Sequence, residues 1–245
     1  MKLITNATTN YKTRKMLDQF GYEGGIMYLS PDKIADGVHT LCPNSTPGCR
    51  ASCLNTSGRA RIKGALQATN LSRSWIHKAR INKSLLWLND RPAFFEILIK
   101  NLNSLVRKAN KNNKKAVVRL NGTSDIHWET IKALDNKSVI ELFPQIQFYD
   151  YTKAHHRLFN KMNNYYLTYS YSELTTKKEF RTLINNGNTV SVVFRKEIPE
   201  TFLGVRVVWG DYHDFRFRDA EGVVVGLTAK GRAKKDTTGF VIGEM

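Results

Sequence analysis

Ala116-Val-Val-Arg-Leu-Asn-Gly-Thr-Ser-Asp125 is a β-branched run that stops abruptly in a polar loop able to do chemistry. The pattern recurs. Ile146–Tyr149 leads into Asp150-Tyr-Thr-Lys153, Tyr165–Tyr169 into Ser170-Tyr-Ser-Glu173, and Val190–Phe194 into Arg195-Lys-Glu197. Val205–Trp209 leads into Gly210-Asp-Tyr-His-Asp214, and Val223–Leu227 into Thr228-Ala-Lys-Gly231. Short strand-forming runs bounded by turn residues read as strands. Between them, Glu129–Leu134 with Ile140–Phe143, Lys153–Met162 and Lys177–Ile184 read as helical, and Pro199–Phe202 as a short turn ended by Gly204. With an earlier strand at Ile26–Leu29, this alternation predicts parallel β/α units. The expected fold is one α/β domain over residues 1–245, a partial parallel (β/α) barrel whose strand ends converge on one mouth.

The chain has 245 residues, 41% hydrophobic and 24% charged, which excludes a small stapled scaffold and a disordered chain. No run approaches the length of a membrane span, and the first residues lack a signal-peptide pattern, so a cytoplasmic protein with no membrane partner is expected. Thirty-eight Lys and Arg against 21 Asp and Glu give a formal net charge of +17, which calls for an anionic partner. Residues 57–115 hold fourteen of the cations and only Asp90 and Glu96 as acids. This segment reads as an extra basic helical flank for nucleic acid. One long helix begins near Arg59 and runs through Trp75 to Leu86, and a second, capped by Asp90 with Pro92 in its first turn, carries Phe94, Phe95, Leu98, Ile99, Leu102 and Leu105 at helical spacing.

The only cysteines, Cys42, Cys49 and Cys53, lie within twelve residues in Cys42-Pro-Asn-Ser-Thr-Pro-Gly-Cys49-Arg-Ala-Ser-Cys53. An odd number of thiols in a turn-rich loop of an intracellular chain points to metal rather than disulfides. Two centres compete. A structural zinc needs four ligands, and His39 could complete a Cys3His set. An iron–sulfur cluster on three thiolates, 4Fe–4S or 3Fe–4S if the open iron is lost, leaves one iron for a small-molecule ligand.

The strand-end loops supply the remaining candidates. Asp125, Lys153, Glu173, Asp211 and His213 are the expected catalytic groups, and Asn121, Asp150, Arg195 and Lys230 the expected ligand-holding ones. Lys230, Arg232, Lys234 and Lys235 form a positive segment able to hold phosphates. Tyr149, Tyr151, Tyr169, Tyr171, Trp209 and Tyr212 offer aromatic faces for bases.

Cys42 to Arg59, Arg119–Asp125, Tyr149–Lys153 and Lys230–Phe240 together resemble a family of phage-encoded proteins of unassigned function. The three-cysteine loop after the first strand is also distantly similar to that of radical S-adenosylmethionine enzymes. The second resemblance implies S-adenosylmethionine as the ligand of the open iron and hence an enzyme, and the basic charge makes a nucleotide or nucleic acid its expected substrate. The alternative is a nucleic-acid-binding protein in which zinc or a cluster only pins the loop.

Overall fold

The computed structural model describes residues 1–6, 17–57 and 75–243. They divide into two compact units. The first comprises Met1–Pro43, Lys78–Asp150 and Met162–Tyr166, and the second Asn44–His77, Tyr151–Lys161 and Leu167–Met245.

The first unit is built on β1 (Ile4–Asn6), β2 (Tyr22–Met27), β3 (Lys115–Arg119) and β6 (Ile146–Thr152), whose last two residues belong to the second unit. β1 pairs antiparallel with β2, while β2–β3 and β3–β6 are parallel. Gly24 and Gly25 let β2 pack closely: a Cβ on Gly25 would stand 2.2 Å from the side chain of Ile4, and one on Gly24 2.7 Å from Leu17. Two helices, α2 (Trp75–Asn89) and α3 (Arg91–Lys111), join β2's half of the chain to β3. Asp90 caps α3 by accepting from the Ala93 amide at 3.0 Å, and Phe94, Phe95, Leu98 and Leu102 bury one stripe of it.

A small hairpin, β4 (Lys132–Leu134) and β5 (Lys137–Ser138), stands where the sequence reading had a helix. Asp135 and Asn136 take φ of 48° and 55°, the left-handed pair that closes a two-residue hairpin, and so turn the chain back on itself. α4 (Val139–Leu142) follows, opened by a Ser138–Glu141 capping box.

The second unit is built on β7 (Tyr165–Ser170, its first two residues in the first unit), β8 (Val190–Phe194), β9 (Thr201–Phe202), β10 (Val205–Trp209), β11 (Val224–Thr228) and β12 (Val241–Ile242). The ladder runs β7-β8-β11-β10-β9, parallel except for β9. β7 accompanies β8 only at Val190 and Ser191, and β12 takes the register opposite Val193 and Phe194. Helix α5 (Lys177–Asn185) starts at a Thr176–Glu179 capping box and buries Phe180 and Leu183 against Val190, Val192, Phe194 and Val224. A short helix α1 (Pro47–Ala51) carries part of the cysteine loop.

The expected barrel is not formed among the described residues. The first unit's ladder stops at β1 and the second's at β9, each an antiparallel edge strand. At β9 the cause is local: Leu203 and Gly204, with φ of 50° and 82°, fold β9 back on β10, so that the outer edge of β10 is taken by a short antiparallel strand. The architecture is mixed α/β with mostly parallel sheets. The Lys153–Met162 stretch holds only a 3-10 turn at His155–Phe159, and the helix start expected near Arg59 lies outside the described residues.

Candidate functional site

In the first unit the carboxyl ends of β3 and β6 meet in a buried polar knot around Asn121. Its side-chain oxygen accepts from Ser124 Oγ (2.9 Å), the Ile126 amide (3.0 Å) and Trp128 Nε1 (3.0 Å), and its amide group donates to the Ile126 carbonyl at 2.9 Å. Asp150 accepts from the Asn121 amide at 2.7 Å and from Tyr165 Oη at 2.9 Å. Where the sequence suggested groups open to a ligand, Asn121 and Asp150 are buried and shape the loop after β3. Asp125 is buried too, its amide donating to the Leu41 carbonyl at 2.9 Å.

That loop receives the first cysteine. Cys42 Sγ accepts the Asp32 amide at 3.3 Å and lies 3.7 Å from the Thr123 carbonyl, so Cys42 stands over the carboxyl end of β3. Gly122 makes this fit, because a Cβ there would be 2.6 Å from the Met27 carbonyl. His39, the fourth ligand of the zinc alternative, turns Nδ1 to Asp36 at 2.6 Å. The His39 bond, helped by the amides of Val38 and His39, holds the Asp36 carboxyl at about 2.

In the second unit Cys49 rides on α1 and Cys53 immediately precedes a 3-10 turn, Leu54–Thr56. Two carboxylates hold this segment. Glu173, after β7, accepts from the Gly48 amide at 2.7 Å and from Thr46 Oγ1 at 3.0 Å. Asp236 accepts from Ser52 Oγ at 3.3 Å, Thr238 Oγ1 at 2.7 Å and the Val241 amide at 3.1 Å. Cys49 packs on Ala229, Ala233, Phe240 and Val241, beside Val193, which places it at the carboxyl ends of β8 and β11. None of the three cysteines is in a disulfide, and each is half-buried. Among the described residues no group of three or more His, Cys, Asp and Glu is gathered to hold a metal ion.

Lys153 and Arg195 work on the same segment. Lys153 Nζ donates to Ser170 Oγ and to the Ser170 and Tyr171 carbonyls at 3.0–3.4 Å, and lies 4.7 Å from the Phe240 ring centroid. Arg195 donates to the carbonyls of Lys234, Asp236 and Gly243 at 2.7, 2.6 and 3.2 Å, tying the C-terminal segment to β8. Both cations spend donors on backbone carbonyls.

Asp211 pairs with Lys230 and accepts the Thr228 amide at 2.9 Å. Burial raises its carboxyl, but Lys230 and Thr228 together outweigh that and hold it at about 2. A carboxyl depressed on folding stabilises the fold above its unfolded value of about 4, and that stability is lost as pH falls through 2. Asp211→Asn is therefore expected to flatten the loss of stability between about pH 4 and pH 2. At pH 7 it should cost on the order of 1 kcal/mol, since Lys230 is half-exposed and screened. Urea titrations across that range check it.

His213 turns Nδ1 to Arg216 at 3.0 Å and Nε2 toward Asp219 at 3.6 Å, and Arg216 reaches Asp219 at 3.1 Å. Burial pushes the Asp219 carboxyl up to about 6, Arg216 opposing and Asp214 adding. Asp219 thus acts with the opposite sign to Asp211: its contribution weakens as pH rises from about 4 through 6. Asp219→Asn should remove that decline, as the same titrations from pH 4 to 7 would show.

In the described part of the basic flank Lys78, Arg91, Lys100, Arg107, Lys111 and Lys115 are exposed, while a few cations are taken up by the fold. Lys83 is buried, its Nζ donating to the Leu3 carbonyl at 2.9 Å, and burial, with Arg80 and Lys2 adding, lowers the ammonium to about 8. Arg80 lies 5.0 Å over the Tyr28 ring, and Lys108 pairs with buried Glu23 at 2.7 Å. These cations act in the fold. Arg59, Arg61, Lys63 and Arg73 lie outside the described residues. Among the described residues no helix is long and apolar enough to cross a membrane.

Asp236, Phe240, Trp128 and Arg216 belong to these sites and were not singled out from the sequence. Thr238 and Gly239 after Asp236 were a readable turn signal for the first, but no local pattern marks the other three.

A family model described as Gene product 88 matches residues 2–243. No curated protein and no solved structure matches the chain, so the comparisons add nothing to the similarity with radical S-adenosylmethionine enzymes.

Proposed function

We propose that this chain, which belongs to the Gene product 88 family, is an iron–sulfur protein acting on a nucleotide or nucleic acid at the carboxyl ends of its parallel strands. Cys42, Cys49 and Cys53 would hold the cluster, although among the described residues they are not gathered as a metal site, and its open iron would supply a binding point for a small ligand such as S-adenosylmethionine.

One observation supports the reading: Cys42 in the first unit and Cys49 in the second each lie by the carboxyl ends of their own unit's parallel strands, where open α/β sheets bind ligands. Two details fit a thiolate-bound centre. An amide donates to Cys42 Sγ, and an apolar shell surrounds Cys49, the two means by which proteins tune such clusters. Glu173 and Asp236 keep α1 in place and are positioning groups.

The test is anaerobic reconstitution with iron and sulfide. The expected product is brown, contains iron and acid-labile sulfide, and loses both in Cys42→Ala, Cys49→Ala or Cys53→Ala. Stoichiometric zinc without sulfide would overturn it.

A second reading keeps the metal but drops the catalysis. It is favoured by Lys153 and Arg195, which are occupied with backbone carbonyls rather than turned to a substrate. A spectral change of the reconstituted cluster on adding S-adenosylmethionine decides for the enzyme, and its absence decides for a binding protein.

A further inference from the structure

Trp209 ends β10 with 63% of its surface exposed, although Val205 and Val207, on the same side of the strand, are half-buried against the core. Its face borders a groove on the second unit. Val207 and Ile198 form the floor with Pro199, and Lys196, Glu200 and Thr228 supply polar groups at its edges. A flat aromatic face left in solvent beside hydrogen-bonding groups is a surface on which an unpaired base can stack.

The surroundings say which kind. Lys230 is joined to Asp211, two residues beyond Trp209, and follows Thr228 of the groove. Arg195, next to Lys196, bonds the Lys234 carbonyl, which brings the exposed cations Lys230, Arg232, Lys234 and Lys235 to the same end of the sheet. The whole chain carries +17. An exposed ring flanked by a row of cations matches a base flanked by phosphates.

We infer that this surface binds single-stranded nucleic acid, one unpaired base stacking on Trp209 while Lys196 and the Lys230–Lys235 segment take the adjacent phosphates. The inference deepens the nucleic-acid half of the reading above and places it away from the 57–115 flank. A duplex does not offer an unpaired base face, and an apolar protein partner would gain nothing from the cations. Glu200 and Thr228 line the same groove as Trp209.

The test is fluorescence anisotropy with a short labelled oligothymidylate and its duplex, on protein before and after iron–sulfur reconstitution. Stacking on an aromatic is worth about 1–3 kcal/mol per base, so Trp209→Ala should weaken single-strand binding about 5- to 150-fold, and Trp209→Phe should restore most of it. Lys234→Ala with Lys235→Ala should flatten the salt dependence of binding. Circular dichroism of each variant checks the fold. Equal affinity for the duplex, wild-type binding by Trp209→Ala, or no binding to either nucleic acid would overturn the inference. Binding that depends on Trp209 in protein that takes up no cluster would leave it standing and sink the iron–sulfur reading, and the reverse pattern would do the opposite.

Discussion

Replacing Trp128 by alanine is expected to destabilise the protein by about 4 kcal/mol, the range for deleting a fully buried large aromatic. The ring has no exposed surface. It lies parallel to Phe94 at 6.1 Å between centroids and packs on Trp87 at 5.0 Å and Phe95 at 6.5 Å, so its removal opens a cavity among rings too rigid to collapse into it. Its Nε1–H is also one of three donors to the Asn121 oxygen. Trp128→Phe keeps most of the volume and loses that bond, so it should cost about 1–2 kcal/mol. Urea unfolding followed by far-ultraviolet circular dichroism measures both, and an alanine variant within about 1 kcal/mol of wild type would show that the knot does not depend on the ring.

Gly48→Val is expected to weaken assembly of the proposed cluster while leaving the strands intact. A Cβ at residue 48 would stand 2.3 Å from Thr238 Oγ1, 2.6 Å from Phe240 Cβ and 2.8 Å from Glu173 Oε2. These are the residues that hold α1, so it must move off them, at a cost of about 1–3 kcal/mol or more. The displaced Cys49 should react faster with maleimide, and the affinity for iron should drop about 5- to 150-fold if that cost falls wholly on the loop. Wild-type iron content in this variant would show that the loop is adaptable rather than preorganised.

Where order in the chain decides structure, the sequence could be read. β8 and β10 fall where Val190–Phe194 and Val205–Trp209 were placed, and α3 begins at Asp90 with its proline in the first turn. The same holds for the polar loops at the strand ends, because strand alternation fixes which end of a parallel sheet each loop occupies.

Contacts made at long range could not be read. β1 and β12 are three and two residues long and exist only through their partners β2 and β8. A lysine in a basic run looks solvated, yet Lys83 ends at the carbonyl of Leu3, eighty residues away in the chain. Glu173 reads from the sequence as a catalytic carboxylate and Asp236 does not read as a site residue, yet they accept the amides of Gly48, distant in the chain, and of Val241, set by a turn. The mostly parallel α/β sheets of the expected partial barrel are present, but how they end could not be read for a related reason: alternation predicts parallel pairing, whereas β9 is set by a two-residue turn.

The replacement of β7 by β12 along β8 bears on how the chain is made. During synthesis Val193 and Phe194 leave the ribosome 48 residues before Val241 and Ile242. At about 5–20 residues per second that is an interval of about 2–10 s in which this length of β8 lacks its final neighbour. The nascent chain carries an open parallel edge at that point. Codon choice or chaperone supply over this interval, rather than the stability of the finished protein, is expected to set the yield of soluble protein.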